Sequence, residues 1–217
     1  MTGILAVKES AMTRLFKIRP GSVGKAGIMS LAAALTLSGC VSLGTKPPDE
    51  LLRLTPQETS AVGSTASGQL SDAIVVLDPE ADRGLDVLRV PVTVDASSVA
   101  YLKDALWIEK PTRQFRSLLA ETLRSRTGKL VVEGGDFEVT GKTLIGGRLI
   151  QMGYDAQKSA VVVRFDAMRT DRGGAPIQSR RFEAVVNGVE AKAKPVGAAL
   201  NQAANDVARQ VADWVKG

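Results

Sequence analysis

Apolar positions recur along this chain in two periods, and each change of period marks the end of an element. Leu51-Leu52-Arg53-Leu54 reads as a brief apolar strand that stops at Thr55-Pro56, and residues 57–69, rich in Ser, Thr, Ala and Gly, read as a loop. Ala73-Ile74-Val75-Val76-Leu77 is a continuous, β-branched run bounded by Asp78-Pro79, the pattern of a central strand. Residues 85–94 alternate through Val87, Val90, Val92 and Val94, with Pro91 confining part of the run to an edge or a bulge. After Pro111 the period lengthens. Phe115, Leu118, Leu119, Thr122 and Leu123 form one helical stripe, Arg113, Arg116, Glu121 and Arg124 lie off it, and Gly128 supplies a stop. Strand periods return at 129–133, 142–154, 159–169 and 176–187, with turns at 155–158 and 171–174, so a meander is expected. Val196, Ala199, Leu200, Ala203, Val207, Val211, Trp214 and Val215 restore the helical spacing, and this Ala-rich helix is expected to bury its stripe against a sheet. The order strands–helix–strands–helix predicts an α+β fold, an antiparallel sheet with two main helices packed on one face.

The first forty residues have another character. Lys8, Arg14, Lys17, Arg19 and Lys25 precede an apolar run at 26–37, and Leu37-Ser38-Gly39-Cys40 follows. A basic stretch, an apolar stretch and a small-residue cleavage site are the layout of a secretory signal. No charge falls between Lys25 and Lys46, but Gly27, Ser30 and Thr36 make this gap weakly apolar for a permanent span. Met12 precedes all but one of the basic residues, and a start there also gives a leader of ordinary length. The last four residues look like a bacterial lipobox. In such a motif the thiol of Cys40 takes an S-diacylglyceryl group through a thioether, a peptidase cuts before Cys40, and the freed amine is N-acylated. Small side chains at Ser38 and Gly39 admit the backbone to the peptidase, and Leu37 fills an apolar subsite. The expected organisation is therefore a signal peptide at 1–39, the lipidated Cys40 and a tether at 40–49, and one α+β domain at 50–217. Pro47-Pro48 extends the tether.

Composition narrows the chemistry. The 217 residues contain no His and one Cys. That excludes Ser-His-Asp and Cys-His pairs, an intrachain disulfide and thiolate zinc sites, and no catalytic, cofactor or metal residues are expected. The net charge of +5 is concentrated at the start, because residues 1–39 hold five of the 28 basic and one of the 23 acidic side chains. The rest carries a net +1, which argues against nucleic acid as a partner. Gly141-Lys142-Thr143 resembles the end of a phosphate-binding loop. Asp136 stands where the first Gly belongs, however, and strand rather than helix follows. Asp166, Asp171 and Glu183 fit a solvated sheet face better than a hydrolytic pair, and Arg180-Arg181 fits an exposed strand flank. Trp107, just before the first helix, has two readings, a residue capping the core and a partner contact.

A lipobox, an early Leu-rich strand ending in Thr-Pro, Tyr101-x5-Trp107-x3-Pro111 opening a helix and an Ala-rich terminal helix occur in this order. The chain resembles the ABC-type transport auxiliary lipoproteins, the group that includes the paraquat-inducible protein C lipoproteins. The resemblance implies a non-catalytic accessory subunit that docks the periplasmic MCE-domain part of an ABC lipid transporter to the outer membrane. Lipoproteins kept at the inner membrane commonly carry Asp after the Cys, whereas Val41-Ser42 follows here, which implies outer-membrane sorting on the periplasmic side. The partners expected are an MCE-domain subunit, the membrane through the lipid anchor and, left open, further copies in a homo-oligomer. The competing readings are a periplasmic lipid-binding protein with an apolar cavity and an envelope hydrolase, the latter opposed by the missing His.

Overall fold

A computed structural model describes residues 48–134, 142–171 and 176–217, all within one compact unit, Lys46–Gly217. The sheet is built on three long strands. β6 (Thr143–Asp155), β7 (Ala160–Asp171) and β8 (Gln178–Asn187) form an antiparallel meander, as the alternation predicts. The Asp155 carboxylate accepts the N–H groups of Gln157 and Lys158 and closes the first hairpin. On its other edge β6 forks. Its first residues pair with β1 (Ile74–Val76), its middle with β2 (Glu80–Ala81) and its end with β3 (Arg89–Thr93), all in parallel. β5 (Val131–Glu133) extends the sheet beyond β1, again parallel, and β4 (Val99–Leu106) pairs antiparallel with β3.

The α+β class and the helix packing are as predicted, but the sheet is mixed, because the short early strands join β6 in parallel. The run at 129–133 lies outside the meander, beside β1. β1 is the central strand its sequence indicates, buried at all three positions and paired on both sides. Pro91 does mark an irregularity, as the register of β3 on β4 shifts between Arg89 and Pro91. One further expectation needs correcting. Residues 51–54 are not a sheet strand, since only Leu52 bridges to Trp107. The stretch before Trp107 is a full strand, β4, whose polar Lys103 and Asp104 interrupt the alternation, Asp104 with a φ of 55°.

A bulge explains how so long a strand as β6 keeps one apolar face. The register against β7 slips between Leu149 and Gln151. Ile145 and Leu149 face inward before it, Met152 and Tyr154 after it, so the extra residue switches the parity of the inward set. At Gly147 (φ 141°) the strands approach so closely that a Cβ would lie 2.0 Å from the Asp166 carbonyl oxygen, and only glycine fits.

Both helices cover the inner face. α1 (Pro111–Thr127) begins with Pro at its first turn and ends at Gly128 in the left-handed conformation, the two signals legible in the sequence. It buries Phe115, Leu118, Leu119 and Leu123, with Phe115 edge-on to Phe165 of β7 at 5.1 Å between ring centroids. α2 (Ala193–Lys216) buries Val196, Leu200, Ala203, Val207 and Val211, its small residues allowing close approach, while Trp214 is half-buried over Phe182 of β8. Arg126 near the end of α1 is ion-paired with Asp213 near the end of α2, so the helices run in the same direction.

Candidate functional site

Leu37, Ser38, Gly39 and Cys40, and the signal peptide before them, lie outside the described residues. From Pro48, the first described residue, the chain takes a course that its own apolar pattern does not indicate. Residues 52–60 run as a strap along the groove between the two parallel helices, held by side chains that take up its backbone groups. Leu54 N–H donates to Gln114 Oε1 (2.9 Å), Thr55 N–H to Asn201 Oδ1 (2.7 Å), Gln57 N–H to Asn205 Oδ1 (2.8 Å) and Ser60 N–H to Glu121 Oε1 (2.8 Å). Asn205 Nδ2 donates in turn to the Thr55 carbonyl, and the Arg126 guanidinium bridges Glu58 and Asp213. Those two carboxylates hold the Arg126 pKa above its ordinary value. Burial raises the Glu121 carboxyl, but the N–H of Ser60 and the guanidinium of Arg124 outweigh it, and its pKa lies below the ordinary value. The strap thus fastens the tether to the helical layer. The sequence signal was present. Gln114 and Asn205 are amides on the otherwise apolar buried faces of the helices, 8% and 2% exposed, and buried amides need partners.

Removing Asn205 tests this fastening. Asn205→Ala leaves the Gln57 N–H and the Thr55 carbonyl without their partner and is expected to cost about 1–3 kcal/mol. A urea melt reads the cost, and cleavage of the 57–69 stretch by a protease added in trace should accelerate. An unchanged melt and cleavage rate would show that the strap is not held this way.

The acidic residues weighed as a hydrolytic set do not converge. Asp166 and Glu183 stand on the outer sheet face, Asp166 held by two bonds of 2.6 Å from Arg181 and Glu183 paired with Arg164. Asp171 closes β7, bonded by the Thr143 hydroxyl and by Arg169. The Arg181 guanidinium holds the Asp166 carboxyl below the ordinary carboxylate range, and the Thr143 hydroxyl, with Arg169, does the same for Asp171. All three are acceptors engaged by neighbours. Of Arg180-Arg181, Arg181 is the exposed partner of Asp166, and Arg180 lies over the Phe182 ring at 5.1 Å. Thr143 of the loop-like Gly141-Lys142-Thr143 opens strand β6, with no helix after it, and Gly141 lies outside the described residues. Among the described residues no three His, Cys, Asp or Glu side chains gather as metal ligands.

These carboxylates set the response to acid. Asp86, beside Lys110, and Asp155, beside Lys158, are also lowered. A carboxyl whose pKa is lower folded than unfolded contributes stability that is complete above its unfolded value and is lost as the pH falls through its folded value. With no His in the chain, no unperturbed side chain titrates between about pH 5 and 8. The urea midpoint should therefore be flat from about pH 8 to 5 and fall below about pH 4, with Asp166→Asn reducing the acid loss. A midpoint that drops between about pH 8 and 5 would contradict this.

Trp107 corrects the partner-contact reading. It is 1% exposed, inside the core, with its Nε1 making no hydrogen bond, and no partner can reach it while the domain is folded. The layer between helices and sheet is filled by side chains such as Phe115, Ile145, Leu149, Phe165, Leu200 and Val207, each at most 1% exposed. One apolar cleft of about 290 Å³, lined by Leu85, Pro91, Val99, Tyr101, Ile150 and Met152, opens instead beside β3, where β2 and β3 leave a gap along β6. No described helix is long and apolar enough to cross a membrane.

The fold is similar to those of solved structures. A crystal structure of an uncharacterized protein is 13% identical, with a TM-score of 0.59 over 76% of this chain and 99% of its own. Protein XCC0632 from Xanthomonas campestris, of the DUF330 family, is 16% identical, with a TM-score of 0.57 over 77% of this chain and 92% of its own. At these identities the likeness concerns the fold alone. No curated protein matches. The family model for the ABC-type transport auxiliary lipoprotein component matches residues 52–212, from the start of the strap almost to the end of α2, and the chain belongs to that family.

Proposed function

We propose that the protein is an accessory docking subunit, anchored to the outer membrane through a lipidated Cys40 and engaging the periplasmic MCE-domain part of an ABC transporter that moves lipid between the two membranes. The family supports the transport role and the lipoprotein character. The observation that carries docking rather than lipid carriage is the filled core. A carrier encloses an apolar cavity large enough for acyl chains, whereas here the space between the layers is occupied by the protein's own side chains. The strap adds a mechanical argument, because the chain arriving from the anchor is fastened to both helices before it enters the sheet.

Mass spectrometry of the intact protein released from envelopes under native conditions separates the two roles. Docking predicts only the acyl chains linked to Cys40. A phospholipid bound non-covalently at about one per chain, as expected of a site enclosing its ligand, would favour the carrier reading and overturn this one.

A further inference from the structure

The strap begins at one end of the domain, where several large apolar side chains are exposed among charged ones. Leu52 N–H donates to the Leu106 carbonyl (2.7 Å) and Ile108 N–H to the Leu52 carbonyl (2.9 Å), so residues 51–53 run beside residues 106–108. Trp107 N–H donates to the Leu88 carbonyl (2.7 Å), which brings Leu88 to the same place. Leu52 and Trp107 turn inward, Leu52 so close to α2 that a Cβ at Gly197 would lie 2.5 Å from its Cδ2. Their neighbours Leu51 and Ile108 are exposed, as is Arg53, which the parallel bridge of Leu52 to Trp107 places beside Ile108. Leu51, Leu88 and Ile108 are 50%, 46% and 46% exposed, three large apolar side chains around one buried tryptophan. Lys110 pairs with Asp86 and Arg113 with Glu109 close by, and Asp49, Glu50 and Arg53 are exposed beside the trio, so it sits within a rim of nearly balanced charge.

We infer that this end of the domain rests on the phospholipid surface of the membrane that holds Cys40, with Leu51, Leu88 and Ile108 entering the boundary between headgroups and acyl chains. The inference rests on the Cys40 anchor. The chain outside the described residues indicates the occupant. Between Cys40 and Leu51 a fully extended tether spans at most about 40 Å, and Leu51 is itself the last residue before the strap. A surface tied so closely to a bilayer meets it at an effective concentration in the millimolar range, where even a small apolar contact is populated. Exposed apolar side chains at the mouth of a lipid tether are the part of the domain that a membrane covers at least cost in desolvated charge. The strap then has a consequence for orientation. Fixed along both helices, it prevents the domain from rolling about its tether and presents another surface to a partner.

The test uses the lipidated full chain reconstituted in vesicles of phosphatidylethanolamine and phosphatidylglycerol. Cys40 is the only cysteine, and lipidation consumes its thiol, so a single introduced cysteine takes an environment-sensitive dye at one place. Dyes at Leu51→Cys, Leu88→Cys and Ile108→Cys should be quenched by nitroxide-bearing lipids about fivefold more than a dye at Ser179→Cys on the exposed outer sheet face. Equal quenching at all four positions, in protein that floats with the vesicles, overturns the inference while the anchor stands. A blue-shifted dye at Ile108→Cys that lipid does not quench means that protein, a second copy or another chain, covers the patch, and this also overturns it. Failure of the unlabelled protein to float removes the anchor and the inference together.

Discussion

Cys40→Ser is expected to leave the chain as an uncleaved precursor, with no acyl label and its leader still attached. The thioether forms only on a thiol, and the peptidase of the lipobox pathway acts after that acyl group is in place. Serine, though nearly isosteric, stops the sequence at its first step. The energetic consequence is large, because each buried methylene contributes about 0.8 kcal/mol to membrane attachment and two lipid signals suffice for stable anchoring. Membrane attachment through Cys40 is lost entirely. Labelling with an alkyne fatty acid, followed by separation of inner and outer membranes, reads both outcomes. The wild-type chain should carry label and travel with the outer membrane, since Val41-Ser42 follows the cysteine. A Cys40→Ser protein that matures normally and stays in the outer membrane would remove the lipobox assignment.

The second large effect lies in the core. Phe165 is 1% exposed, stands between Leu149 and Phe182 in register on the neighbouring strands and meets Phe115 of α1 edge-on. It therefore joins all three strands of the meander to the helical layer. Phe165→Ala removes that contact and leaves a cavity in a layer with little freedom to collapse, at a cost of about 3–5 kcal/mol. Small domains have about 5–15 kcal/mol in total, so the variant should be largely unfolded at moderate temperature. Met168→Ala, three residues along the same strand on the exposed outer face, should change stability by less than about 0.5 kcal/mol. Thermal melts of the two variants side by side check the assignment of faces. Equal losses would mean that the face of β7 has been misjudged.

How much could be read in the sequence follows from which forces are local. The helices were legible because their signals are short-range. Pro111 and Gly128 punctuate α1, and the apolar stripe of α2 repeats over six turns. The β6–β8 meander was legible because alternation and hairpin turns are also local. Parallel pairing was not, as it joins β1 to segments about 60 residues away and leaves no mark on either strand. β4 was missed because Lys103 and Asp104 break its alternation. The strap was missed for the opposite reason. Residues 52–60 have little periodicity of their own, and their backbone groups are satisfied by side chains of distant helices. The clue lay in those helices, in amides such as Gln114 and Asn205 set among apolar neighbours. Trp107 shows the limit of composition, since an aromatic before a helix suits a partner or a core equally until its burial is known. For Cys40 everything came from local motif and spacing.

The proposed docking role requires physical contact between this lipoprotein and an MCE-type transporter. The most direct measurement is affinity purification of the full-length chain, tagged after Gly217, from chemically cross-linked envelopes, with mass-spectrometric identification of what accompanies it. The periplasmic MCE-domain subunit should be cross-linked to it directly, the permease and ATPase of the same system should be recovered with that subunit, and Cys40→Ser should abolish the recovery. Recovery of abundant wild-type protein in the outer membrane, cross-linked to other envelope proteins but to no subunit of an ABC transporter, would contradict the docking role.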